Sequence, residues 1–169
     1  MLAPDYYYDS VFEIPYNDFW QKNIRTLIFD LDNTLAAYDV QRPTAKVTAL
    51  VKRLQRIGFK ICLMTNNTEK RMRAYNENLN LFAIHGALKP LTVGVNRAMR
   101  ELGASKNETA IIGDQIFSDV WAGRNAGITT VLVKPVSKKD IITVRWKRYP
   151  ERIFIKSYLK KLEKAKQSK

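Results

Sequence analysis

The residues best suited to chemistry lie in four short polar segments, each directly after an apolar run of the sequence. In chain order the segments contain Asp30 and Asp32, Thr65 and Asn66, Lys89, and Asp114 with Asp119. A carboxylate can attack an electrophile or transfer a proton, and carboxylates grouped together bind hard cations such as Mg²⁺. A lysine and a hydroxyl can stabilise negative charge on a reacting group. The residue types therefore suit polar catalysis at a bound cation, provided that the fold brings them together.

Each of these residues, taken singly, also has an ordinary structural explanation. Aspartate is common in turns, and Asp114 or Asp119 could cap the helix that follows. Thr65 could be a helix N-cap, and Lys89 could be a surface lysine. Those explanations do not account for the position of every segment at the end of a predicted strand.

The elements that would position these segments alternate along the chain. Strands are predicted at 26–29, 59–64, 82–84, 109–112 and 128–133, and helices near 44–57, 69–79, 90–102 and 116–126. We expect Pro90 to open the third helix, and glycines to end three of the four. Strands separated by helices predict right-handed crossovers and a parallel sheet covered on both faces. Ligands bind such sheets beyond the carboxyl ends of the strands, where all four segments fall.

The four segments together resemble the signature motifs of the haloacid dehalogenase (HAD) superfamily. Those motifs are D-x-D-x-T, a Thr or Ser, a Lys, and G-D-x-x-x-x-D, and the resemblance covers residues 25–133. It implies an α/β fold of three layers, with a Rossmann-like parallel sheet and helices on both faces. It also implies a Mg²⁺-dependent phosphatase.

The resemblance assigns a catalytic role to five residues. Asp30 would be the nucleophile that forms an aspartyl-phosphate, and Asp32 would protonate the leaving alcohol and later activate water. Lys89 would neutralise phosphate oxygens and keep the nucleophile ionised. Thr65 and the backbone amide of Asn66 would donate hydrogen bonds to the transferring phosphoryl group.

The same resemblance implies a Mg²⁺ site built from carboxylates. The expected ligands are Asp30, the backbone carbonyl of Asp32, and Asp114. Asp119 would hold a metal-bound water, although Asp114 and Asp119 could exchange these roles.

The spacing of the segments leaves no room for the cap domain that many HAD enzymes carry. Thr34 and Thr65 are separated by 30 residues, and Thr65 and Lys89 by 23, which the predicted helices and strands already occupy. An open site suits a large substrate or a lipid at a surface. The chain looks like a capless bacterial subfamily, IIIA, that is related to phosphatidylglycerophosphate phosphatases. The residues that carry this narrower likeness are Asp32-Asn33-Thr34-Leu35, Asn66-Asn67, Lys89-Pro90, Gly113-Asp114-Gln115, Ser118-Asp119, Ile142-Thr143, Arg148 and Glu151-Arg152.

The charge of the chain is concentrated at its C-terminal end. The 169 residues carry a net charge of +13, and residues 134–169 contain 13 Lys or Arg and 3 Asp or Glu. We divide the chain into an N-terminal arm packed on the domain (1–24), a catalytic core (25–133) and a partly helical basic extension (134–169). An apolar stripe of Ile155, Leu159 and Leu162 would dock on the domain or on a membrane. The basic extension could bind anionic lipid or another anionic partner, or it could simply keep the protein soluble.

The cysteine count, the N-terminal residues and the length of the apolar stretches all bear on the cellular compartment. Its single cysteine, Cys62, excludes an internal disulfide, and the N-terminus lacks the features of a signal peptide. No apolar stretch approaches the ~20 residues that cross a bilayer. We expect a cytoplasmic protein that attaches to the inner face of the membrane, if at all, only peripherally.

Three functions remain open from the sequence alone. The leading hypothesis is a phosphatase acting on an anionic phospholipid, phosphatidylglycerophosphate. A soluble phosphatase for nucleic-acid ends or phosphorylated metabolites is the alternative, although the aromatic–basic alternation typical of single-strand binding is absent. A non-enzymatic adaptor is the third, and the presence of both Asp30 and Asp32 argues against it.

Overall fold

A six-stranded parallel sheet forms the centre of the computed structural model, which describes residues 2–137. The strand order is β1-β6-β5-β2-β3-β4. The strands are β1 (Tyr6–Tyr8), β2 (Thr26–Asp30), β3 (Lys60–Met64), β4 (Phe82–Ile84), β5 (Thr109–Gly113) and β6 (Thr129–Val133). The helices are α1 (Tyr16–Gln21), α2 (Ala45–Ile57), α3 (Glu69–Asn76), α4 (Val93–Glu101) and α5 (Trp121–Ala126).

Helices cover both faces of this sheet, which confirms the three-layer α/β class. Buried residues of α1, α2 and α3 pack on one face with alternate residues of the central strands, such as Leu27 and Leu63. The alternate set, including Ile28 and Cys62, packs on α4 and α5. Every residue of β2 and β5 is buried. Burial on two faces explains why these strands are continuous apolar runs in the sequence.

Three elements differ from the sequence-based predictions. In the helix predicted near 116–126, residues Ile116–Val120 form a π-helical turn, and α5 begins only at Trp121. Tyr6–Tyr8 was expected in an arm but forms β1, a strand at the edge of the sheet that pairs in parallel with β6. The third predicted helix was expected to open at Pro90, but α4 begins at Val93. Residues 88–92 instead form a turn in which the Leu91 N–H donates to the Leu88 carbonyl at 2.9 Å. A cis peptide bond joins Lys89 to Pro90 within this turn.

The predictions for the C-terminal extension lie largely outside the described residues. These are the helix with its apolar stripe and the part of the subfamily likeness at 142–152. Among residues 2–137, no helix has the length and apolar character needed to cross a bilayer.

Candidate active site

The sheet topology brings all the predicted site residues together at the carboxyl ends of the strands. β2 lies between β5 and β3, and the strands are parallel, so the segments after them meet at the carboxyl edge. Asp30 ends β2, while the other residues lie in the segments that follow β2, β3, β4 and β5. An open pocket of about 290 Å³ at this edge is lined by Asp30, Asp32, Tyr38, Thr65, Asn66, Asn67, Lys89, Gln115 and Ser118. A larger hollow of about 490 Å³ lies elsewhere, beside Asp5 and Thr129, away from these carboxylates.

Three buried carboxylates form a cluster at the centre of the edge. One oxygen each of Asp30, Asp114 and Asp119 lies within 4.8 Å of the others. Gly113 permits this approach, because a Cβ atom there would overlap the Asp119 carboxylate. The Gln115 N–H donates to Asp119 Oδ2 at 3.1 Å and fixes its orientation. Buried carboxylates repel one another, so the cluster requires positive charge among them.

Lys89 supplies one positive charge. Its ammonium nitrogen lies 2.5 Å from Asp30 Oδ1 and 2.5 Å from Asp119 Oδ1. The Asn66 side chain holds the Lys89 backbone, accepting from its N–H at 2.8 Å and donating to its carbonyl at 3.0 Å. Burial alone would lower the pKa of Lys89, but the adjacent Asp119 and Asp30 outweigh it and raise the pKa above its ordinary value. Lys89 is therefore a fixed cation.

One oxygen of Asp30 has no hydrogen-bond partner among residues 2–137. This atom, Oδ2, is buried. Burial raises the pKa of the Asp30 carboxyl well above its usual range; Lys89 opposes this rise, and Asp119 and Asp114 add to it. An unpaired carboxylate oxygen beside two more carboxylates suits a hard divalent cation with oxygen ligands. The residues present thus fit Mg²⁺.

Asp32 is held by a separate network beside this cluster. Its Oδ2 accepts hydrogen bonds from Thr65 Oγ1 at 2.8 Å and Asn67 Nδ2 at 3.3 Å. Its Oδ1 accepts from Arg71 Nε at 3.1 Å, and the Arg71 side chain is only 11% exposed. Sequence reasoning missed Arg71 as a site residue, because it lies in the charged stretch of α3 with nothing to distinguish it. Its position three residues after the helix N-cap, Thr68, is the one available signal.

Comparison with known proteins agrees with this geometry. Residues 36–127 match the family model described as haloacid dehalogenase-like hydrolase. The probable phosphatase YqeG of Bacillus subtilis is 32% identical over 160 residues, covering 95% of this chain and 93% of that protein. The chain belongs to the haloacid dehalogenase-like hydrolase family. Together with the phosphatases among its relatives, this membership makes the protein an enzyme of the phosphatase class.

More distant HAD proteins share less with the chain. Phosphatidylglycerophosphate phosphatase 1 of Arabidopsis thaliana is 24% identical over 166 residues, covering 90% of this chain but 47% of that protein. The magnesium-bound HAD-hydrolase YfnB of Bacillus subtilis superposes with a TM-score of 0.57 at 16% identity, covering 72% of this chain and 92% of that one. The structural likeness establishes the common fold.

Arg71 gives a first prediction for this HAD enzyme. We expect Arg71→Met to lower kcat by roughly ten- to a hundredfold, because Asp32 would lose the cation that holds Oδ1 in place. Arg71→Lys should restore part of the loss, since a lysine returns the charge but not the guanidinium geometry. Steady-state kinetics on a soluble phosphate ester measure both variants. Arg73→Met, on an exposed side chain of the same helix, is the control. Equal kcat in the Arg71→Met and Arg73→Met proteins would contradict the assignment.

Proposed function

We propose that this HAD phosphatase hydrolyses phosphatidylglycerophosphate at the cytoplasmic face of the membrane, through an aspartyl-phosphate on Asp30. The observation that carries the chemistry is the buried contact of Asp30 with Lys89, beside Asp114 and Asp119. A carboxylate held at an open pocket beside a lysine ammonium is suited to attack a phosphorus atom.

Asp30 and Asp32 share the two steps of the reaction. The Asp30 carboxylate attacks phosphorus as the bond to the leaving alkoxide breaks, and Asp32 supplies the proton that the alkoxide takes up. Asp32, now ionised, then accepts a proton from a water that attacks the aspartyl-phosphate. Inorganic phosphate leaves and Asp30 is regenerated as a carboxylate. The hydrogen bonds from Thr65 and Arg71 orient Asp32 for these transfers.

The remaining residues stabilise negative charge. Lys89 neutralises the phosphoryl oxygens and Asp30, while Thr65 and the Asn66 amide donate to the phosphoryl group. Asp30, the Asp32 carbonyl and Asp114 would hold Mg²⁺ and Asp119 would hold a water beside it, or Asp114 and Asp119 would exchange these roles. The bound ion would supply further positive charge for phosphoryl transfer.

Several observations support a lipid substrate. A phosphatidylglycerophosphate phosphatase is among the more distant relatives. The sequence resemblance to subfamily IIIA, which includes positions in 142–152, favours the same substrate class. Within the described residues, only α2 and β3 separate Thr34 from Thr65, and only α3 and β4 separate Thr65 from Lys89. We therefore propose a capless core at 25–133, open to a substrate at a surface. The basic extension, 134–169, would hold that core at an anionic membrane.

A substrate panel tests this proposal. We expect phosphate release from phosphatidylglycerophosphate in vesicles to exceed release from nucleotides, 5′-phosphorylated oligonucleotides and sugar phosphates, compared by kcat/KM. Preference for any soluble compound would replace the lipid assignment with the soluble-phosphatase alternative, which the basic charge also suits when the substrate is a nucleic-acid end. No release from any substrate by the folded, Mg²⁺-supplied enzyme would instead favour the adaptor.

A further inference from the structure

Large apolar side chains are exposed at the active-site edge of the sheet. Within residues 2–137, those with substantial exposure are Leu88 (62%), Leu91 (57%), Val93 (64%), Trp121 (42%) and Val136 (57%). Every one lies in a segment that follows the carboxyl end of a strand. The other described surfaces, including the amino edge, expose no large apolar side chain to this degree. We call these five residues the apolar rim.

The apolar rim lies on both sides of the catalytic centre. Leu88, Leu91 and Val93 follow β4, which is the outermost strand on one side of the sheet. Trp121 begins α5 after β5, and Val136 follows β6, both on the other side of β2. A polar pocket between exposed apolar residues matches a substrate with a phosphorylated headgroup and apolar chains.

Leu88 is exposed next to Lys89, in a backbone conformation that does not favour leucine. Leu88 has a φ of 57°, in the left-handed region that bulky residues rarely adopt. The same turn carries its neighbour Lys89 into the buried cluster. A polar residue such as asparagine would fit this conformation better and would be better hydrated, so the leucine is explained neither by the turn nor by the core.

The last described residues of the chain, Val136 and Ser137, lie at this same edge. The Val136 N–H donates to the Asn33 carbonyl at 2.8 Å, and the Ser137 N–H donates to Asn33 Oδ1 at 2.8 Å. Ser137, the last described residue, therefore lies beside the loop that carries Asp32. The sequence from residue 134 to residue 169, which contains 13 Lys or Arg and 3 Asp or Glu, thus continues from a point next to the apolar rim.

We propose that the apolar rim is a docking surface for an anionic lipid bilayer, which presents the active site to headgroups in the membrane. Anionic headgroups attract the basic extension, and short aliphatic side chains with a tryptophan suit the headgroup boundary. The proposal rests on the proposed lipid substrate. It adds which face of the enzyme meets the membrane.

Tryptophan fluorescence of the full-length protein tests the orientation. Leu91→Trp places a reporter on the rim, and Gln55→Trp places one on an exposed position of α2. With vesicles of phosphatidylglycerol and phosphatidylcholine, the difference spectrum against the parent protein should shift to the blue for Leu91→Trp only. The double substitution Leu91→Ser, Val93→Ser should lower partition into these vesicles about tenfold, because two apolar side chains no longer enter the boundary.

Three results would overturn the docking surface. The first is no blue shift for Leu91→Trp with vesicles, and the second is an equal blue shift for Leu91→Trp and Gln55→Trp. The third is a blue shift for Leu91→Trp without lipid that accompanies a doubling of mass, which would mean that two copies pair through the apolar rim. Hydrolysis of p-nitrophenyl phosphate by the parent protein is measured separately. If the rim shows no vesicle contact but the parent protein hydrolyses p-nitrophenyl phosphate, only the docking surface is refuted. If the rim contacts vesicles but the protein releases no phosphate from any substrate, the proposed function is refuted.

Discussion

Asp30→Asn should abolish phosphatase activity while leaving the protein folded. Asparagine has almost the shape of aspartate but no charge to attack phosphorus, so turnover should fall by more than about a thousandfold. The free energy of unfolding should not decrease. Burial raises the pKa of the Asp30 carboxyl, which means that the ionised form is costly at this position, and Lys89 keeps its pair with Asp119 in the variant.

Phosphate release and thermal unfolding measure the two halves of this prediction. Asp39→Asn is a matched control, because it removes the same charge from an exposed position outside the pocket lining. Acid-quenched enzyme should carry phosphate that is released by hydroxylamine in the parent protein but not in Asp30→Asn. Turnover near the parental rate in a folded Asp30→Asn protein would remove the nucleophile assignment.

The order of strands and helices could be predicted because strands that are buried on both faces are recognisable in the sequence. The central strands are unbroken apolar runs, and Gly58 and Gly127 end helices in the left-handed conformation that glycine adopts easily. The strand Tyr6–Tyr8 has no such sequence pattern. A three-residue edge strand with half-buried tyrosines shows neither an apolar run nor alternation, and its partner β6 is 125 residues away.

The location of the site could be predicted more fully than its contacts. Strand ends identified which segments meet, but only the folded chain shows that Lys89 bridges Asp30 and Asp119. Arg71 reaches Asp32 from a helix whose position depends on packing. The predicted start of α4, Pro90, was wrong for a similar reason. Helix propensity favours Pro90 in a first turn, whereas here the chain must first turn to bring Lys89 inward.

Removal of divalent metal should stop turnover, and Mg²⁺ should restore it. One carboxylate oxygen each of Asp30, Asp114 and Asp119 lies within 4.8 Å of the other two, and Lys89 pairs with Asp30 and Asp119. EDTA should therefore abolish phosphate release. Zn²⁺ should restore less activity than Mg²⁺, because the cluster offers oxygen ligands without the histidine or cysteine that zinc prefers.

Thermal unfolding separates metal binding from catalysis. Mg²⁺ at 100 times its dissociation constant should stabilise the fold by about 2.7 kcal/mol, seen as a higher Tm. Asp114→Asn should lose most of this increase, because it replaces a charged carboxylate ligand with a neutral amide. The hydroxyl of Thr34, which donates to Asp114 Oδ1 at 3.1 Å, could still donate to the amide oxygen. Asp39→Asn should keep the full increase. Normal turnover by the chelated enzyme would show that catalysis needs no metal. If Mg²⁺ raised the Tm of Asp114→Asn as much as that of the parent, the metal would bind elsewhere, and Lys89 would be the cation that stabilises the three carboxylates.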